Sequence, residues 1–136
     1  MDNFIYACVQ LLHNLGAVIV VAAPVVALIL SNKEETKHLP FSIFYIALAG
    51  WCLQIGSGIG FGITSYQLQG HIPQLEDVAK YALYIKVICA TISSLLLLSV
   101  LLKKNDHPIS IQKLTKILLV LGVTALCSAA FLRWYG

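Results

Sequence analysis

The sequence predicts an all-α protein, an integral-membrane bundle of four helices running up and down. Three observations carry that prediction. Of 136 residues, 59% are hydrophobic and only 11% charged, against about 25% charged in soluble domains; mean hydropathy is +0.85. The apolar residues fall in four runs, each with the ~20 residues a helix needs to cross hydrocarbon. Short linkers separate the runs, and short connections force consecutive helices to lie antiparallel.

The first run covers about 4–30 and includes Gln10, His13, Asn14 and Pro24. The second covers about 41–66, the third 79–102 and the fourth 114–134. Backbone N–H and C=O groups cannot go unpaired in lipid, so each run is expected to be helical throughout. The chain therefore reads as a single transmembrane domain over 1–136. Its start, Met1-Asp2-Asn3, has no basic region, and the first run is too long for a signal-peptide core, so that run is expected to be retained.

Lysines orient the bundle. Lys33 and Lys37 lie in the first linker, while Lys103, Lys104, Lys113 and Lys116 lie in or just beyond the third. Only Lys80 and Arg133 mark the other side. By the positive-inside rule, linkers one and three face the cytoplasm and both termini face outward. Trp134, Tyr135 and Tyr66 suit an interfacial aromatic belt. The net charge of +3 is spread through the loops and gives no patch for nucleic acid. The four cysteines, Cys8, Cys52, Cys89 and Cys127, fall one per run with no CxxC spacing, so they read as small apolar packing residues.

Two ionisable residues interrupt this pattern. His13 and Lys86 sit inside the first and third runs; a central lysine costs roughly 2.5–3.5 kcal/mol on insertion. From the outer ends of their helices, a rise of 1.5 Å per residue puts both roughly 10–14 Å deep. Equal depth points to one shared site. Gln10, His13, Asn14 and Ala17 share a helical face that is expected to turn inward. His13 is open to three roles: haem or metal ligand, proton relay, or interhelical hydrogen-bonding group. Lys86 either snorkels to the headgroups or lines a polar cavity, where it holds a carboxylate or carries protons. Gln54 lies somewhat deeper on the second helix. Gly56/Gly60 and Gly58/Gly62 form overlapping GxxxG pairs, suited to helix packing or to close approach of a flat ligand. Glu76 and Asp77 suit the first turn of a helix. His71 could cap the site from the outer loop, and Arg133 could meet an anion there; His38 and His107 fall in loops and carry no assignment.

The stretch Leu11-Leu12-His13-Asn14-Leu15-Gly16-Ala17 resembles the opening of the first helix in CopD-type membrane proteins. Leu53-Gln54-Ile55-Gly56-Ser57-Gly58 and Tyr84-Ile85-Lys86-Val87 resemble short stretches of their second and third helices. HemJ-type protoporphyrinogen oxidases share the arrangement of a histidine on one helix and a lysine two helices later. The resemblance covers about the first 100 residues. It implies a small four-helix module of the bacterial inner membrane that binds haem b. His13 would ligate iron and Lys86 would be the catalytic lysine. From the residues themselves, Gln10, Gln54, Gly58, Lys86 and Arg133 are expected to line the site around a cofactor. This chain departs from those families in its later helices, which hold no histidine, and in having Met1 as its one methionine.

Three functions follow as expectations. The first is a haem b electron-transfer protein or oxidoreductase subunit, exchanging electrons with a quinone or a periplasmic partner. The second is a small transporter-like module for an ion or small anion, with Gln10, His13, Gln54 and Lys86 lining the pocket; so thin a wall would call for a homo-oligomer. The third is a non-catalytic subunit of a larger membrane complex.

Overall fold

In the computed structural model the chain forms four helices: α1 (Asp2–Ser31), α2 (Ser42–Gln69), α3 (Asp77–Leu102) and α4 (Ile111–Tyr135). The structure describes residues 2–31, 41–69, 75–103 and 110–135; among them there is no strand. All four helices are long and apolar enough to cross a membrane, which makes the chain a multi-pass membrane protein. Each helix begins or ends two or three residues beyond the expected bounds. Polar end residues such as Asp77 still satisfy the helical backbone ladder at the interface. At the start of α3, Lys80 N–H donates to the Glu76 carbonyl (3.0 Å), and Asp77 pairs with Lys80 at 3.1 Å. At its other end, Lys103 N–H closes the last turn on Ser99 O.

The helices form a ring in which α1 packs chiefly on α2 and α3 on α4; α1 meets α4 less fully, and α2 meets α3 least. α1 and α2 run antiparallel: Tyr6 meets Phe61, Gly60 faces Val9, and Gly16 faces Gly50, Leu53 and Gln54. The apolar core lies in the half that carries the first and third linkers. Val20, Ala23, Ala27, Phe44, Ala47, Trp51, Leu97, Leu114 and Leu118 are buried together there.

Glycines set the close approaches, and they are not the GxxxG pairs. A Cβ at Gly16 would lie 3.1 Å from Gly50 O, and one at Gly122 would lie 2.9 Å from Val20 O. At Gly56, Gly58 and Gly62 a Cβ would meet nothing within 4 Å, and at Gly60 only Val9 in ordinary contact. The reason is angular. Trp51, Gln54 and Ser57 fix the inward face of α2, and Gly56, Gly58 and Gly62 fall outside that stripe.

Pro24 lies buried inside α1 without ending it. Having no N–H, it cannot bond the carbonyl four residues back, that of Val20. It is this carbonyl that Gly122 of α4 closes upon, so the glycine brings a backbone C–H surface against an acceptor the proline has left open.

Candidate functional site

Beyond Gly16 toward the N-terminus no α1 residue with a described side chain is buried, and none of α2 is buried beyond Ser57 among its described side chains. α3, by contrast, stays buried to Ala79 and Ala82 near its N-terminal end. Between the α1–α2 and α3–α4 pairs stands a polar cluster. Lys86 Nζ lies 2.7 Å from His13 Nε2, across the diagonal of the ring. His13 Nδ1 lies 2.7 Å from Ser57 Oγ. Gln54, only 6% exposed, donates its amide to the His13 backbone carbonyl, which holds α2 to α1 at that level. Phe61 meets the imidazole edge-on at 5.3 Å, with Tyr6 edge-on to Phe61 in turn. Both His13 and Lys86 are half-buried, open enough to be reached.

The donors of this chain can be ordered. Ser57 has one hydroxyl proton, and it goes to the Leu53 carbonyl one turn back, shared weakly with Gln54 O at 3.3 Å. Toward His13 the Ser57 oxygen must therefore accept, so Nδ1 carries the imidazole proton. Nε2 is then the lone-pair nitrogen, and it accepts from Lys86 Nζ–H. The order runs from Lys86 Nζ through the imidazole and a hydroxyl to a backbone carbonyl.

Among the described residues Lys86 has no carboxylate beside it. The carboxylates with described side chains, Glu76 and Asp77, stand at the start of α3, and Asp77 is taken by Lys80. Further in on the Lys86 face of α3, seven residues on, Ser93 is fully buried and its Oγ has no hydrogen-bond partner. Ser57, Thr115 and Ser128 return their protons to a carbonyl one turn back; Ser93 does not.

The structure thus brings together His13, Lys86 and Gln54 and adds Ser57, which the sequence reading left inside a glycine run. The signal for Ser57 was present: Gln54, Ser57 and Phe61 sit at i, i+3 and i+7 on one helical face. Three other residues stand apart. Gln10 bonds Asn14 along α1 at 3.1 Å, and Asn14 is exposed, so the expected inward stripe splits at that point. Gly58 is exposed with open space around it. Arg133 is exposed in the last turn of α4. His71, His38 and His107 lie outside the described residues.

Among the described residues no three His, Cys, Asp or Glu side chains gather as a cation cage. Compared with protein-family models, with curated proteins and with solved structures, the chain shows no match.

Proposed function

We propose that this chain is the subunit of a small membrane carrier whose site, His13 with Lys86, handles a small anion. One observation carries the reading: the half-buried Lys86 amino group lies 2.7 Å from His13 Nε2, and among the described residues no carboxylate stands beside it. A charge taken from water requires a partner of opposite sign, and this site leaves that place to a ligand. Ser93 supports the same reading, because an orphaned hydroxyl ~10 Å further along α3 extends the polar column toward the opposite side. Four helices give a thin wall, so the carrier works as an oligomer.

The test is flux in proteoliposomes. The wild-type chain should pass small monovalent anions, and Lys86→Met should lower the rate at least tenfold, about 1.4 kcal/mol of barrier, with helicity unchanged. Equal flux from both proteins would overturn the reading.

A second reading, haem b, is favoured by one feature. Ligating histidines commonly donate their other ring N–H to a neighbouring acceptor, which fixes the tautomer, as His13 Nδ1–H does to Ser57. Nε2 is thereby the nitrogen offered to iron, and a haem needs only one or two axial ligands from the protein. Lys86 would have to turn away from Nε2 first. Bound there, a haem would supply one-electron chemistry; His13 would hold it, Ser57 would orient His13, and Lys86 would be freed to meet a propionate. An absorption spectrum of the purified protein separates the two readings. A Soret band abolished by His13→Ala would establish the haem.

A further inference from the structure

We infer that the His13–Lys86 pair is a proton-coupled site for a carboxylate, closed when empty and opened by one proton and one anion together. The inference rests on the carrier reading above and names both its substrate class and its co-substrate.

In the closed state Nε2 of His13 is an acceptor, and Lys86 satisfies it at 2.7 Å. The other ring nitrogen cannot take up a proton, because it already holds one and gives it to Ser57, whose own proton is committed to Leu53. A proton arriving at the imidazole therefore goes to Nε2. That nitrogen then becomes a donor facing another donor, and a second positive charge stands beside the first. At hydrogen-bond distance two cations cannot share one axis; they part until an acceptor sits between them. A carboxylate fits this need, with one oxygen for the His13 Nε2–H and the other for Lys86. The balance is complete: one proton and one negative charge enter, and the net charge of the site is unchanged. Electroneutral loading suits a site in hydrocarbon, where carrying net charge is costly.

The surroundings leave the proton to His13. On α2 the groups against the imidazole are Ser57, Gln54 and Phe61, none of which titrates in the working range. On α1, Tyr6 touches Phe61 rather than the imidazole. On α3, Tyr84 is exposed, Cys89 lies one turn deeper, and Asp77 and Lys80 are paired with each other. On α4, Arg133 and Tyr135 stand exposed in the last turn. Among the described residues, then, no carboxylate competes with the incoming one. The opening is also mechanically available. α2 and α3 pack least of all the neighbouring pairs, and α1 carries no buried residue outward of Gly16 among its described side chains.

Calorimetric titration of the full chain in nanodiscs with sodium acetate tests this, run in bis-tris and in imidazole buffer. The two buffers differ in ionisation enthalpy, so the difference in heat counts the protons taken up. We expect one proton per acetate, and affinity about tenfold tighter for each pH unit lowered while His13 starts neutral. His13→Gln should bind acetate at least tenfold more weakly and with no proton uptake, whereas Lys86→Arg should keep both properties. Decanoate replaces acetate in a parallel arm. Acetate binding with one proton supports a free carboxylate as ligand, and decanoate binding alone with one proton supports a carboxylate borne by a membrane amphiphile. Acetate bound without proton uptake overturns the coupling, although the anion carrier stands. Chloride flux with neither carboxylate bound overturns the substrate class, again with the carrier intact. Loss of all flux as well removes the carrier reading itself.

Discussion

The two halves of this bundle are held together by different means. In the half with the first and third linkers, Trp51, Phe44, Leu97, Leu114 and Leu118 interlock, each almost inaccessible. In the half with the termini, Leu11 is 68% and Phe4 75% exposed, and the link observed between α1 and α3 is a hydrogen bond between His13 and Lys86. Lipid is as apolar as leucine, so membrane helices gain their association from close packing and interhelical hydrogen bonds. One half uses the first device and the other the second. Packing is insensitive to pH and ligand; a histidine–lysine bond answers to both. The fold has placed its polar cluster where it is weakly closed.

That contrast can be broken by substitution. The largest effect should come from Trp51→Ala, which empties a site only 1% exposed. Reversible unfolding in mixed micelles should show a loss of about 3 kcal/mol. Phe61→Ala, whose half-buried ring stands in the open half, should cost less than half as much. A larger loss at Phe61 would mean that the half with the termini is as tightly packed as the half with the first and third linkers.

Glycines sharpen the contrast at smaller scale. Gly122→Ala drives a methyl group to 2.9 Å from the Val20 carbonyl, and backbone cannot yield as a side chain can. A cost of roughly 1–3 kcal/mol is expected. Gly58→Ala meets open space and gains helix propensity, so stability should hold or rise by up to about 1 kcal/mol. The same unfolding assay compares the two, and equal losses would place Gly58 at a contact.

The smallest effect belongs to Ser57→Ala. Removing the acceptor of Nδ1–H frees the imidazole tautomer without disturbing the core. Nitrogen-15 spectra of labelled histidine should show one dominant tautomer at His13 in the wild type and a mixture in the variant. An unchanged spectrum would mean that Lys86, rather than Ser57, sets the proton.

Much of this was legible in the residues, because it depended on distance along a helix. The four spans follow from apolar length, and the meeting of His13 with Lys86 follows from equal depth at 1.5 Å per residue. What was not legible depended on angle. Which face of α2 turns inward decides whether Gly56 and Gly58 or Gly50 make the close approach, and two overlapping GxxxG pairs point in two directions. Asn14 was expected inside with His13 yet is exposed, since one residue of helix turns a side chain by ~100°. Glycines on both sides mask Ser57 in the sequence, although its spacing from Gln54 is enough to place it. Nor could spacing show that the halves close unequally, which is a property of all four helices together.

Pro24 gives α1 a pivot. The ladder bond it removes is the one that would tie Val20 to the next turn, and Gly122 of α4 braces α1 at that level. Seven residues outward, about 10 Å along the axis, sits His13. The N-terminal arm of α1 is thus a lever fixed at its fulcrum, with the imidazole near its middle and, among its described side chains, no buried residue beyond Gly16. A small tilt at Val20 becomes a displacement of ångströms at His13, enough to part it from Lys86 while the inner core stays shut.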